Sequence, residues 1–327
     1  MAYTTIDNPE LYFQTKTYTG TGSSNAFTLD GSENMQPDWV WIKHRGEAHN
    51  HYLYDSVRGV QIKLSSNTNA SEIDMGSGSD AGLTAFGSNG FTIGGDTDEN
   101  ASSESYVAWN WKAGTAFSND ASATSVGTID SSGSINTTSG FSIISYTGTG
   151  SNGTIAHGLG IQPQLVIIKS RASSNSWMVY TVIEGGGKGL FLNANNGSDS
   201  DTSYFNSGTT STTTFPVGTS NNSNKSSTNM IAYCFANVKG YSKIGSYIGN
   251  ANANGPMIYT GFCPAWFMVK NAGASEHWRI YDNKRDKVNH MYHVLFPNEN
   301  SAESTVNNAS EEIDFLSNGV KIRSSAQ

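Results

Sequence analysis

The stretch Pro37-Asp-Trp-Val-Trp-Ile-Lys43 is followed eleven residues later by Tyr54. It returns as Pro163-Gln-Leu-Val-Ile-Ile-Lys169 with Tyr180, and as Pro264-Ala-Trp-Phe-Met-Val-Lys270 with Tyr281. In every copy six residues separate Pro from Lys and eleven separate Lys from Tyr. A phrase that keeps its internal spacing through three copies indicates one structural unit used three times. The β-branched and aromatic run between Pro and Lys reads as a strand, and the run ending at Tyr reads as the next strand.

Working outward, the first unit is expected over 18–113. It opens with Tyr18-Thr-Gly-Thr-Gly22, turns at Ser88-Asn-Gly90 and closes with Tyr106-Val-Ala-Trp-Asn-Trp111. Alternation on that last strand assigns Val107, Trp109 and Trp111 to the core. The second unit, 140–245, repeats the opening as Tyr146-Thr-Gly-Thr-Gly150 and closes with Met230-Ile-Ala-Tyr-Cys-Phe235. Fifteen residues separate Phe91 from Tyr106 and Phe215 from Met230. The third unit, 246–327, has the hairpin phrase Leu316-Ser-Asn-Gly-Val320, and the same interval would start its closing strand at about position 335, beyond Gln327. That unit is expected to lack its final strand. Either it closes with fewer strands, or its open edge is covered by the N-terminal arm, a neighbouring subunit or a partner protein, or the boundary of the sequence cuts the unit.

Residues 1–17 are expected to be an N-terminal arm, lying along another subunit or loose. Residues 114–139, rich in Ser, Thr and Asn, read as a linker. No twelve-residue window carries a sustained helical apolar stripe. The expected fold is all-β: three tandem β-sandwich units of jelly-roll or lectin-like type.

Charged residues are 14% of the chain and aromatic residues 11%, so a real core is affordable with few charges on the surface. A net charge of -8 without a basic stripe argues against a nucleic-acid partner. Cys234 and Cys263 read as buried thiols rather than a disulfide framework. No signal peptide and no membrane span are expected.

No acid, base and nucleophile converge within one unit, so no catalytic residues and no cofactor are assigned. His49 and His51 would share a strand face, but no third metal ligand accompanies them. Asp96, Asp98 and Asn100 alternate like the start of a calcium loop, a weak candidate because Ala101 replaces the expected glycine. The tryptophans could stack on sugar rings, although Trp39 and Trp41 share a face that reads as core. Exposed contacts are expected instead from Tyr54, Asp55 and Arg58, and from Tyr281, Asp282 and Arg285.

Several phrases together resemble a family of repeat-bearing virion proteins of marine tailed bacteriophages. They are Tyr12-Phe-Gln-Thr15, Pro37 to Arg45, Tyr54-Asp-Ser-Val-Arg-Gly59, Tyr106 to Lys112, Tyr281-Asp-Asn-Lys-Arg285 and Asp314-Phe-Leu-Ser-Asn-Gly319. The resemblance implies a non-enzymatic structural protein in the virion, made in the host cytoplasm. It also implies a tail-associated fibre or receptor-binding role, with glycan contacts. Assembly with other virion proteins and with itself, as a homotrimer, would follow. The alternatives are a capsid decoration or head-fibre protein and, with less support, a glycan-degrading enzyme.

Overall fold

The computed structural model describes residues 4–305 and 311–325, and the fold is all-β. The first segment contains β1 (Phe13–Thr19), β2 (Asn25–Thr28), β3 (Trp39–His44), β4 (Tyr52–Asp55), β5 (Ile62–Ser65), β6 (Ile73–Asp74), β7 (Leu83–Gly87), β8 (Gly90–Ile93) and β9 (Ser105–Trp111). The second contains β10 (Thr115–Asn119), β11 (Ser131–Asn136), β12 (Phe141–Thr147), β13 (Gly153–Ala156), β14 (Pro163–Ser170), β15 (Met178–Thr181), β16 (Leu190–Phe191), β17 (Thr214–Val217) and β18 (Asn229–Ala236). The third contains β19 (Met257–Tyr259), β20 (Trp266–Val269), β21 (Arg279–Asp282), β22 (His293–Val294), β23 (Ser304–Thr305), β24 (Ile313–Leu316) and β25 (Gly319–Ile322).

The large sheet of the first segment runs β1-β9-β3-β4-β5-β6, and that of the second runs β10-β11-β12-β18-β14-β15-β16. Smaller sheets, β2-β8-β7 and β13-β17, accompany them. The third segment has β19-β25-β24, β20-β21 and β22-β23. The three copies of the Pro-to-Lys phrase all form the strand expected of them. Trp41 on β3 lies between Trp109 and Leu53. Ile167 on β14 lies between Tyr233 and Val179. Met268 on β20 has only Ile280 opposite it.

The repeated Thr-Gly-Thr-Gly phrase has a steric cause. A Cβ on Gly20 would meet the Ala101 carbonyl at 2.1 Å, and one on Gly148 would meet the Lys225 carbonyl at 2.2 Å. Gly22 and Gly150 both take φ of +69°, which side chains disfavour. Both segments thus bring the opening strand hard against the turn before the closing strand.

The large sheets are buried on both faces. On β9, Tyr106 and Ala108 pack into the first segment's own sandwich with Phe27, Tyr54 and Phe91. Val107, Trp109 and Trp111 face the other way, as expected, into a core shared by all three segments. That shared core joins Trp39 and Trp41 to Ile167, Trp177 and Tyr233 of the second segment and to Trp278 and Ile280 of the third. Separate clusters fill the sandwiches of the second and third segments.

Several expectations are corrected. The 114–139 linker instead holds two strands that extend the large sheet: β10, at its edge, pairs with β11, and β11 with β12. Despite its low apolar content it is anchored to the core by Phe117, Ile129 and Ile135. The 1–17 arm is neither loose nor laid on another subunit over its described part. From Phe13 onward it is β1, paired with β9. Before that, Pro9–Leu11 forms a turn capped by Asn8, and the Thr4 hydroxyl donates to the Lys239 carbonyl. Residues 1–3 of that arm lie outside the described residues. Cys234 is buried, but Cys263 is exposed because it precedes the unpaired edge of β20.

Among the described residues the third segment has no counterpart of β9 or β18. It also lacks a strand where β1 and β12 have their counterpart, although Tyr247 occupies the place of Tyr18 and Tyr146 and packs on the local core. The reason is pairing: β1 and β12 are hydrogen-bonded to the closing strand, and without that partner residues 244–250 run as coil.

Candidate functional site

The six residues expected to make external contacts are buried. Tyr54 and Asp55 are 0% exposed and Arg58 is 7% exposed; Tyr281, Asp282 and Arg285 are buried likewise. The strand ending at Tyr carries the next residue, Asp, into the joint between segments, not to solvent. Arg58 Nε lies 2.5 Å from Asp55 Oδ2, and its Nη2 donates to the Leu53 carbonyl. The Tyr233 hydroxyl of the second segment donates to the same Asp55 oxygen at 2.7 Å. Arg285 repeats this with Asp282 Oδ2 at 2.5 Å and the Ile280 carbonyl. There the donor from the neighbouring segment is Trp109 Nε1, at 3.0 Å. Burial opposes the charge on Arg58, but Asp55, together with Tyr233 and Glu72, outweighs it and holds its pKa above the ordinary value.

The repeated lysine also fastens segments. Lys43 Nζ donates to the carbonyls of His44 and Glu47 in its own loop and of Asn300 in the third segment. Lys169 Nζ does the same with Ser170, Ser173 and Asn69 of the first. Three ammonium donors meet three carbonyls, which satisfies the buried cation. Burial lowers the pKa of Lys43 to about 8 and that of Lys169 to about 7. Lys270 reaches only its own loop, at Asn271 and Ala274.

These contacts close a cycle. The Glu72 amide donates to the Arg171 carbonyl, Ser198 to Ala272 and Glu303 to Arg45. Each link joins one segment to the next, and the last returns to the first. Two side-chain pairs, Arg171–Glu72 and Arg45–Glu303, reinforce it. The Trp177 indole donates to the Ser65 carbonyl and Trp278 to Phe191 in the same sense. His51 holds the corresponding place in the first segment. Burial pushes its pKa well below the usual range, with Lys43 adding to that and the Phe296 backbone opposing it.

The calcium candidate is a structural turn. Asn100 accepts from the Thr21 amide and donates to the carbonyls of Ser23 and Gly94. Asn224 makes the same three bonds with Thr149, Ser151 and Gly218 in a loop without carboxylates. Asp96 caps the short helix Thr97–Asn100, and Lys63 Nζ sits 2.7 Å from its Oδ2, where a cation would sit. The expected His49–His51 pair does not form a site either, because His51 Nδ1 accepts from the Trp41 indole inside the core. Sequence reasoning missed a different trio: His44, Glu47 and His49 bring one ligand atom each within 4.8 Å of one another. His44 Nδ1 accepts from the amides of Gly46 and Glu47, and His49 Nδ1 lies 2.8 Å from Asp98. This is an arrangement able to hold a divalent cation.

A cleft of about 1200 Å³ lies beside β20. Leu165, Ile183, Phe235, Tyr247, Trp266 and Met268 contribute to its walls, and Cys263 stands in its lining. Trp266 is the one tryptophan that is not buried, yet its Nε1 is shielded from solvent without a hydrogen-bond partner, as is Trp39 Nε1 across the cleft. The only sequence sign of this opening was the absent closing strand.

Fold and site together define an all-β protein in which charged repeat residues serve as internal fasteners between segments. The chain belongs to the family described as Domain of unknown function (DUF7483), whose model matches residues 8–327. No curated protein and no solved structure matches it.

Proposed function

We propose that this chain is a structural protein of a bacteriophage particle, tail-associated and without enzymatic activity. Its three segments are copies of one unit closed into a ring. The observation that carries this reading is the use of chemistry in the repeat. Two of the three repeated lysines, and the Asp-Arg turns of the first and third segments, are spent on joining segment to segment. Such a construction suits a rigid building block, and the resemblance of Pro37 to Arg45 and Tyr106 to Lys112 to virion proteins supports a role in a particle. Receptor or glycan contacts would then fall to side chains outside Tyr54, Asp55, Arg58, Tyr281, Asp282 and Arg285, since these are buried.

The test is localisation by antibody labelling and cryo-electron microscopy of the intact particle. Label at the tail is the expected result. Label over the capsid would replace this reading with the decoration-protein alternative, and absence from the particle would remove both.

A further inference from the structure

One buried charged cluster serves no joint between segments. Lys63 on β5, and Asp96 and Glu99 in the turn after β8, are 5%, 6% and 0% exposed. β5 belongs to the large sheet of the first segment and β8 to its smaller one, so the cluster bridges the two sheets of that sandwich. Lys63 Nζ lies 2.7 Å from Asp96 Oδ2 and 3.5 Å from Glu99 Oε1, and 3.9 Å from the centre of the Tyr52 ring. The other Asp96 oxygen, Oδ1, accepts from the Asp98 amide at 2.9 Å. The Tyr54 hydroxyl donates to Glu99 Oε1, while Glu99 Oε2 is buried with no hydrogen-bond partner.

The repeated unit does not require these charges. Leu53 faces Leu64 as Val179 faces Leu190, which puts Gly189 where Lys63 stands. Counting back from Asn100 and Asn224, which make matching bonds, Ser220 and Ser223 take the places of Asp96 and Glu99. Ser220 caps its short helix as Asp96 does. The first segment therefore holds a lysine and two carboxylates together where the second has three small residues. Left as ions they lack the water that charges prefer, and one carboxyl oxygen goes unpaired.

We propose that Lys63 and Asp96 condense into an amide that bonds β5 covalently to the turn after β8, with Glu99 as the catalytic proton relay. It is a single self-modification, without turnover. Lys63 enters as an ammonium, because Glu99 and Asp96 outweigh the burial that opposes its charge. Burial holds Glu99 toward its protonated form, with Lys63 opposing. One proton passes from Nζ to Asp96 Oδ2. The Nζ lone pair attacks Asp96 Cγ and the C–N bond forms, with the charge that develops on Oδ1 held by the Asp98 amide. Glu99 takes a second proton from Nζ and gives its own to Oδ2. The Cγ–Oδ2 bond breaks and water leaves. Ammonium and carboxylate become amide and water, so atoms and charge balance with no oxidant and no cofactor. Holding the two groups together in a dry site supplies the effective concentration that such a condensation lacks in water.

The test is the mass of the denatured full chain. The expected value is one water below that of the sequence, whereas the Lys63→Arg and Glu99→Gln chains should keep their full masses. Cyanogen bromide cuts after Met35, Met75 and Met178, so fragments 36–75 and 76–178 should stay joined in the natural chain and separate in both variants. Tandem mass spectrometry should place the bond between Lys63 and Asp96. Near-UV circular dichroism checks that the variants fold; if either does not, the fragments of the natural chain decide alone. A folded natural chain of full mass, with the two fragments separate, overturns the proposal and leaves a buried ion pair. So does a bond from Lys63 to Glu99. A folded Glu99→Gln chain that still loses water overturns the relay. None of these outcomes bears on where the protein sits in the particle.

Discussion

The first and third segments start from the same phrase and end in different states. β3 has a neighbour on each side, and all six of its residues are buried. β20 has one neighbour, and all four of its residues are only partly buried. Local sequence is not the cause, since Trp39-Val-Trp-Ile and Trp266-Phe-Met-Val are equally apolar. The difference is the closing strand. A strand that is central in one segment becomes an edge in another when its partner is missing, and the opening strand is lost with it. The unit is cooperative: β1, β3 and β9 stand together, whereas residues 244–250 and β20 stand apart.

The comparison can be broken hardest at the Asp-Arg turns. Asp282→Ala would leave buried Arg285 with Glu303 as its remaining carboxylate and the Trp109 indole without its acceptor, and the expected loss is about 3 kcal/mol in urea unfolding. Asp55→Ala should cost a similar amount. Glu184→Ala, at the matching position beside the cleft, should change stability by less than about 1 kcal/mol, because its ion pair with Lys188 is partly exposed. Equal losses at all three sites would mean that the second segment's turn is also a closed joint.

The lysines sharpen the comparison by a smaller amount. Lys43→Met removes three donors from buried carbonyls and should cost about 1–3 kcal/mol. Lys270→Met removes two from exposed ones and should cost less than half as much in the same assay. A reversed order would contradict the assignment of the repeated lysine as an inter-segment clamp.

Much of this was legible in the sequence. The Pro-to-Lys phrase is a strand in all three places, and Val107, Trp109 and Trp111 do face a core, because alternation on a strand fixes which residues share a face. What alternation could not reveal was a second core on the opposite face, packing Tyr106 and Ala108. A strand buried on both faces reads as a near-continuous apolar run, as Trp39-Val-Trp-Ile does, but the run does not say what covers the second face. That is why Tyr54, Asp55 and Arg58 seemed surface residues: short polar runs after a strand usually meet water, and only packing against another segment buries them. β10 and β11 escaped notice because they lie at the margin of the sheet, where few of their residues are buried. The His44, Glu47 and His49 trio depends on a loop folding back, which spacing does not encode.

The smallest expected effect separates the first segment's own core from its joints. Burial raises the Glu99 carboxyl to about 7, with Lys63 opposing the rise, against an ordinary value of 4.5. The folded chain therefore holds a proton there that the unfolded chain has released. The stability this contributes is fully present below pH 4.5 and is lost as pH rises through about 7. Glu99→Gln should flatten that part of the pH profile of the unfolding midpoint, and an unchanged slope would assign it to another group.

The account rests most heavily on β20 being an open edge, and amide exchange on the isolated chain measures that directly. Across Trp39–His44 the account predicts uniform protection. Across Trp266–Val269 it predicts alternate amides that exchange much faster than their neighbours, since only those paired with β21 are bonded. Equal protection along both strands would show that the third segment already has its closing partner, and would contradict the account.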